Sequence, residues 1–205
     1  MGLYADHVLP RVVDLALSGR PFDRVRERVA GGLSGEVLEV GFGSGRNVPH
    51  YPPSVRRVVA VDPASVGRRL AGRRLAESPL RVEFVELGAG GAYPLGAASV
   101  DHVLVTWTLC TIPDVASALA EMRRVLRPGG LLHFAEHGRS PSPSVARWQD
   151  RLTPPQRRIA GGCHLNRPID RLVDGAGFVV EDLDRYYLPG PKVLTWTFEG
   201  VARSP

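Results

Sequence analysis

Short apolar runs alternate with amphipathic segments over most of this chain. Five runs have the length and valine-rich character of strands: Val37–Val40, Arg57–Val61, Arg81–Leu87, Asp101–Thr106 and Leu131–Ala135. Ala64–Glu77 and Pro113–Leu126 instead repeat apolar residues with the period of a helix. Strands that are apolar on both faces and alternate with helices are typical of a parallel sheet covered on both sides. The pattern predicts an α/β fold with a doubly wound, mostly parallel sheet.

The two ends of the chain depart from this alternation. Residues 1–33 hold two amphipathic segments broken at Gly19-Arg20-Pro21, which predicts an N-terminal helical lid or flank. Ser140–Arg171 is rich in proline and arginine and breaks the rhythm. Phe178–Tyr187 and Val193–Val201 alternate with period two around a Pro-Gly-Pro turn, which predicts an antiparallel C-terminal hairpin. We expect a single domain over residues 1–205, with a ligand-binding core at 35–137 and a loop followed by the terminal hairpin at 138–205.

A glycine-rich loop follows the first predicted strand, where residues 41–47 read GFGSGRN. In an open α/β sheet, ligands bind at the carboxyl ends of the strands, and glycine there lets a ligand approach the backbone. A dinucleotide loop needs its third glycine at position 46, which is Arg46, and a P-loop needs a Lys-Ser or Lys-Thr pair, which is absent. The spacing therefore disfavours dinucleotides and triphosphates.

Asp62 ends the second predicted strand and is the second feature of this candidate site. Its carboxylate can accept hydrogen bonds from both hydroxyls of a ribose. It can equally cap the next helix ahead of Pro63, and the two roles are compatible. Either way, Asp62 is expected at the same edge of the sheet as the glycine loop.

Composition narrows the class of protein only slightly. The 205 residues are 43% hydrophobic and carry a formal charge of +5, with a single lysine, Lys192. The arginines occur as scattered pairs, which favours a solvated surface over a nucleic-acid site. Two cysteines are too few for a disulfide framework, and no window approaches the roughly 20 apolar residues of a membrane span. We expect a cytoplasmic protein with reduced thiols, and weak peripheral contact with a membrane stays open.

Four blocks of the sequence resemble the class I S-adenosylmethionine-dependent methyltransferases. They read VLEVGFGSGRN, VVAVDPA, SVDHVLVTWTLCTI and MRRVLRPGGLLHFAEH, and they span about residues 35–137. The resemblance implies a Rossmann-like, seven-stranded sheet and S-adenosyl-L-methionine as the cofactor, with S-adenosyl-L-homocysteine as the product. This cofactor has no pyrophosphate, which agrees with a glycine loop that lacks the phosphate-binding spacings.

The resemblance also implies which residues bind the cofactor. Glu39 would face the methionine amino group or brace the glycine loop, Asp62 would hold the ribose, and Trp107 would lie near the sulfonium or serve as a core aromatic. Many relatives hold the adenine with an acidic residue after strand three, but the stretch GAGGAYPL has none, so backbone groups near Gly88 and Ala89 are expected instead. The full expected set is Glu39, Gly41, Phe42, Gly43, Gly45, Asn47, Asp62, Pro63, Gly88, Ala89, Thr106, Trp107 and Thr108.

The C-terminal third is similar to the small thiol methyltransferases of vertebrate endoplasmic reticulum, and less so to the ubiquinone- and menaquinone-pathway enzymes. The similarity lies in TLCTI, AEH, WQD and GGCHLNR. It implies a small-molecule methyl acceptor, with a thiol favoured, and a bacterial member of the group. A quinone or phenol acceptor and RNA are the alternatives, although nucleic acid is disfavoured because the motif of amino-group methylators is missing.

His137 is the expected catalytic base, since a thiol attacks as its thiolate. Two cysteines are expected to be pocket walls, and no metal site is predicted, because no cluster along the chain has ligand spacing. The expected acceptor-side residues are Cys110, Trp148, Cys163, His164 and Asn166. The sequence leaves the oligomeric state open.

Overall fold

The computed structural model describes residues 4, 8–62 and 65–205 of the chain. Seven strands form one sheet in the order β3-β2-β1-β4-β5-β7-β6. Neighbours among β1 to β5 run parallel, whereas β7 is antiparallel to both β5 and β6. This arrangement confirms the predicted fold class. The strands are β1 Gly35–Val40, β2 Val55–Val61, β3 Val82–Val85, β4 Val100–Thr106, β5 Leu126–His137, β6 Val179–Tyr187 and β7 Trp196–Arg203.

Helices cover both faces of the sheet, and two short 3-10 turns lie in the loops at Val48–His50 and Ala89–Gly91. Leu104 packs with α2 on one side of β4, while its neighbour Val103 packs with α4 on the other. Both side chains are fully buried, as expected for a doubly wound sheet. The helices are α1 Leu9–Ala16, α2 Arg20–Gly31, α3 Ser65–Ala76, α4 Val115–Val125, α5 Pro143–Ile159, α6 Ile169–Gly175 and α7 Lys192–Thr195.

The stretch 140–171 lies in the part of the chain that was expected to begin as a loop, but it has regular structure. It contains the 17-residue helix α5, which includes Pro154 and Pro155. Proline removes a backbone donor from a helix, but here tertiary packing overrides that cost because Ala146, Gln149 and Thr153 are buried along one face. Proline content alone therefore does not predict the structure of this region.

Two strand boundaries also differ from expectation. The last strand begins at Trp196 instead of Val193, because Lys192–Thr195 forms one helical turn in which the Thr195 hydroxyl donates to the Pro191 carbonyl. Strand β5 begins at Leu126 instead of Leu131; near its start the pairing with β4 shifts register and Gly129 adopts a positive φ of 77°. Both differences are local irregularities that hydrophobic periodicity does not record.

The order of the strands locates a ligand crevice. The chain leaves β1 for β2 on one side and later enters β4 on the other, so β1 and β4 flank the topological switch point. Their carboxyl ends carry the glycine loop and residues 106–108. Among the described residues, no helix combines the length and the apolar character needed to cross a membrane.

Candidate functional site

A cavity of about 710 Å³ lies at the carboxyl ends of β1, β2 and β4. Its volume falls in the range of about 300–1,000 Å³ that is usual for small-molecule sites. Helix α1 covers one side, contributing Leu9, Val13 and Asp14 to the wall. Eight of the residues predicted to bind a cofactor line this cavity, namely Gly41, Phe42, Gly43, Asn47, Asp62, Thr106, Trp107 and Thr108.

The glycine loop is held in a conformation that requires glycine. Gly41, Gly43 and Gly45 have φ values of 80°, 55° and 72°, which side-chain-bearing residues rarely adopt. A Cβ on Gly41 would overlap the Thr108 side chain, whereas one on Gly43 would point into open space beside the cavity. The Gly43 N–H donates to Asp62 Oδ2 at 2.6 Å, so Asp62 ties the loop to the end of β2.

Glu39 braces the loop from beneath. It is 1% exposed, and its two carboxylate oxygens accept hydrogen bonds from Asn47 Nδ2 and the Tyr51 hydroxyl, each at 2.7 Å. Burial raises the pKa of Glu39 to about 7, and these two hydrogen bonds only partly oppose that effect. Of the two roles considered for Glu39, the observed contacts are those of a brace.

Arg26 is a cavity residue that sequence reasoning missed. It lies on the buried face of α2, is 2% exposed, and its guanidinium lies over the Trp107 ring at 4.9 Å from the centroid. Its Nε has no hydrogen-bond partner, and neither does Asn47 Oδ1, although both atoms are buried. The signal was an arginine at a position where the helical period calls for an apolar residue, next to Val25 and three before Val29.

Trp107 adopts a strained backbone conformation at the end of β4. Its φ is 47°, which costs an aromatic residue on the order of 1–2 kcal/mol. Its N–H donates to the Ala135 carbonyl, and its ring packs edge-on against Phe22 at 5.3 Å. The ring thereby forms part of the cavity wall between the sheet and α2, and the cation on its face in this structure is Arg26.

A set of polar contacts closes α1 over the glycine loop. Arg46 donates to both carboxylate oxygens of Asp14 at 2.8 and 3.0 Å, and the Ser44 hydroxyl donates to the same carboxylate. Burial alone would raise the pKa of Asp14, but these hydrogen bonds lower it below its usual value. The arginine that occupies the dinucleotide glycine position therefore ties α1 to the glycine loop.

The remaining cofactor candidates are placed differently from expectation. Gly88 and Ala89 do not line the cavity; Leu87, Gly90 and Gly91 do. The Gly88 N–H donates to the Ala92 carbonyl, which closes the turn on itself and leaves the following glycines at the wall. Gly45 lies beneath the loop, where a Cβ would approach Ala71 and Val48. Pro63 falls outside the described residues.

Two acceptor-side candidates and the candidate base come together in a second cluster. Cys110 follows β4, His137 ends β5, and Cys163 follows α5, yet one ligand atom from each lies within 4.8 Å of the others. Cys163 Sγ is 3.3 Å from His137 Nε2, and both thiols are buried. A hydrogen bond with Cys110 and the neighbouring His137 lower the pKa of Cys163. Burial would lower the pKa of His137, but the Cys163 sulfur raises it.

Glu136 orders the loop that carries Cys110. It is fully buried, and its carboxylate accepts the N–H groups of Thr108 at 2.6 Å and Leu109 at 2.8 Å. Burial raises its pKa to about 7 despite these bonds. Thr111 and Gly162, the neighbours of the two cysteines, line the main cavity. The cysteine cluster therefore adjoins the cavity wall.

The other acceptor-side candidates supply no ligand atom to this cluster. Trp148 is 54% exposed on α5, and Asn166 donates to Asp150, which also pairs with Arg139. The His164 ring contacts the Cys110 carbonyl at 3.2 Å through Nδ1. The prediction of no metal site rested on spacing along the chain and stays a prediction, but the fold brings together three possible ligands from positions that sequence spacing does not connect.

Known proteins share this fold and these motifs. Residues 38–134 match the methyltransferase domain family. A SAM-dependent methyltransferase structure from Methanosarcina mazei superposes with a TM-score of 0.62 at 21% identity, covering 82% of this chain and 91% of that chain. At that identity the superposition establishes the fold alone.

Several relatives are closer in sequence. Thiol S-methyltransferase TMT1B of Rattus norvegicus is 38% identical over 152 residues, covering 72% of this chain and 62% of the rat protein. The human TMT1B is 36% identical over 170 residues, covering 80% and 68%. Demethylmenaquinone methyltransferase of Clavibacter sepedonicus is 33% identical over 124 residues, covering 60% and 50%. The chain thus spans about two thirds of the length of the mammalian relatives.

Proposed function

This chain belongs to the class I S-adenosylmethionine-dependent methyltransferases, and we propose that it methylates the sulfur of a small thiol. S-adenosylmethionine is its cofactor, and when bound it supplies a methyl group on a positively charged sulfur.

The cavity fits the cofactor's amino-acid tail. Arg26 Nε is a buried donor and Asn47 Oδ1 a buried acceptor, and neither has a partner within the protein. A buried polar atom without a partner costs about 1–3 kcal/mol, so a ligand that supplies the missing partners binds with that much advantage. A zwitterionic amino acid offers a carboxylate to Arg26 and an ammonium to Asn47. Asp62, at the end of β2, would receive the ribose.

The acceptor must reach the cavity as a thiolate with water excluded. Methyl transfer to sulfur is an in-line displacement, so the chain's own residues contribute mainly by positioning and desolvation. His137 is the candidate base, and its ring lies beside Cys163 rather than at the surface. Closure of α1 over the cavity through Asp14 and Arg46 would shield the reacting atoms.

The observation that carries the thiol assignment is the cluster of Cys110, His137 and Cys163 next to the cavity wall. The human relative that matches 80% of this chain is named a thiol S-methyltransferase. Sulfur and imidazole groups form a soft, weakly hydrated environment that suits a thiol better than a phenol or quinol.

A surface built for RNA is not favoured by the charge pattern. Several arginines are paired with carboxylates, including Arg57 with Glu36, Arg124 with Glu121 and Arg185 with Asp170. Paired arginines have less net charge to offer to phosphates. A steep dependence of RNA binding on salt concentration would reverse this inference.

An acceptor panel tests the proposal. Alkyl and aryl thiols, phenols and reduced quinols are incubated with the protein and the cofactor, and S-adenosylhomocysteine is quantified. Thiols are expected to give turnover above the no-acceptor rate, and phenols and quinols are not. A preference for quinols or phenols would contradict the thiol assignment while leaving the methyltransferase fold and cofactor unaffected.

A further inference from the structure

Cys110, His137 and Cys163 form the ligand set of a metal site. Their two Sγ atoms and the His137 ring nitrogen lie within 4.8 Å of one another. We propose that the three residues bind one zinc ion and that its fourth position takes the acceptor as a thiolate. This inference rests on the proposed thiol methylation, which it deepens by naming how the acceptor is held, and it makes His137 a ligand of zinc in place of a base.

The chemistry of the donors selects the ion. Two thiolates and one imidazole suit zinc, and three protein ligands with one open position are typical of a catalytic zinc site. Tetrahedral zinc with bonds of about 2.0–2.3 Å places its ligand atoms about 3.5–3.8 Å apart. The contact of 3.3 Å between Cys163 Sγ and His137 Nε2 is close to that spacing.

The surroundings orient the ligands. The His137 ring makes a hydrogen bond with the His164 backbone while Nε2 faces Cys163, and metal-bound histidines are usually fixed in this way by a carbonyl. The Cys110 carbonyl accepts the His164 N–H at 2.8 Å, which links two of the three ligand loops. Glu136 holds the amides of residues 108 and 109 from inside the fold. The three ligands are therefore positioned by backbone contacts that do not depend on a metal.

The proposed zinc site lies next to the cavity. Thr111 follows Cys110 and Gly162 precedes Cys163, and both of these neighbours line the cavity wall. A Cβ on Gly162 would approach the Thr111 carbonyl at 3.1 Å, so the two loops pack closely there. An acceptor on the fourth position would lie beside the space that receives the cofactor.

The proposed step balances. The acceptor thiol loses its proton to solvent on binding zinc, since a coordinated thiol is deprotonated outright. Its sulfur then forms a bond to the methyl carbon, and the bond from that carbon to the sulfonium sulfur breaks, with the electron pair returning to that sulfur. The products are a methyl thioether on the acceptor and S-adenosylhomocysteine. No oxidant or reductant is consumed.

Metal content and cobalt spectroscopy test the site without relying on activity. The full chain, purified in reductant and reconstituted with zinc, is expected to hold about one zinc per chain by mass spectrometry of metals. Cobalt in its place should give visible bands of tetrahedral geometry and a near-ultraviolet thiolate charge-transfer band. Cys110→Ser, Cys163→Ser and His137→Gln should each lose zinc and these bands. His50→Gln, a histidine change outside the cluster, should keep both.

Calorimetry with S-adenosylmethionine separates loss of the metal from loss of the fold, because each variant should still bind the cofactor. Failure of the reduced wild-type chain to bind zinc or cobalt would overturn the inference, as would a disulfide between the cysteines that persists in reductant. So would retention of zinc by His137→Gln. Thiol methylation by a metal-free chain would overturn the zinc site alone. Zinc binding without methylation of any thiol would overturn the proposed function and the acceptor's place on the zinc, and would leave only the three protein ligands.

Discussion

The cofactor side and the acceptor side of this molecule are built in different ways. On the cofactor side, Gly41, Gly43 and Asn47 come from one continuous loop, and Asp62 ends the adjacent strand. On the acceptor side, Cys110, His137 and Cys163 come from three separate segments, with His137 and Cys163 lying 26 residues apart. A site formed by the backbone of one continuous loop can be recognised as a motif in the sequence. A site formed by side chains from separate segments can be recognised only once the fold is known.

The largest effect is expected from a substitution in the glycine loop, which should abolish binding on the cofactor side. Gly43→Val places a branched side chain in the cavity at a φ of 55°, so cofactor binding should be lost altogether. The nearest atom to a Cβ there is a carbonyl oxygen at 3.9 Å, so the fold should persist. Calorimetry and circular dichroism check the two halves of this expectation. Retained binding would mean that the loop is not the cofactor site.

His137→Ala addresses the acceptor side. Turnover with a thiol should fall by roughly 100-fold or more, which is the usual contribution of a positioned proton-transfer or activating group. Affinity for S-adenosylmethionine should stay unchanged, because His137 does not line the main cavity. Steady-state kinetics and calorimetry on the same preparation measure both quantities. A variant that works at the full rate would remove His137 from the mechanism.

Glu39, which braces the glycine loop, should make the stability of the fold depend on pH. The pKa of Glu39 rises from 4.5 to about 7 on folding, so the folded state holds this proton more tightly than the unfolded state. Relative to Glu39→Gln, the wild-type free energy of unfolding should therefore fall as pH rises from about 5 to 7, by on the order of 2 kcal/mol. Parallel urea titrations of both proteins measure the difference. Curves that stay parallel over this range would mean that Glu39 is ionised in the fold.

The smallest effect is expected from alanine substitutions at two glycines of α3, which form a closely matched pair. A Cβ on Gly67 would come within 2.7 Å of the Gly43 carbonyl oxygen, whereas one on Gly72 would meet nothing within 4 Å. Gly67→Ala should push α3 away from the loop and weaken cofactor binding. Gly72→Ala should leave binding unchanged and stabilise the helix by up to about 1 kcal/mol. Equal effects on binding would mean that the loop does not depend on its contact with α3.

The strand pattern, the glycine spacing and Asp62 were enough to predict the sheet and the edge of it at which the cavity lies. Periodicity missed α5 because its prolines are tolerated only where the helix packs against the rest of the fold. It also missed Arg26, whose role depends on the cavity that its side chain faces. The cluster of Cys110, His137 and Cys163 was missed for a related reason, since the pairing of β4 with β5 in the sheet brings Cys110 near His137.

Methyl transfer to sulfur is the central claim, and one molecule that carries both acceptor types tests it directly. Para-mercaptophenol offers a thiol and a phenol on the same ring. With S-adenosylmethionine that carries a trideuteromethyl group, mass spectrometry and NMR of the product locate the transferred methyl. The account predicts the label on sulfur and none on oxygen. Label on the phenol oxygen or on a ring carbon would contradict it.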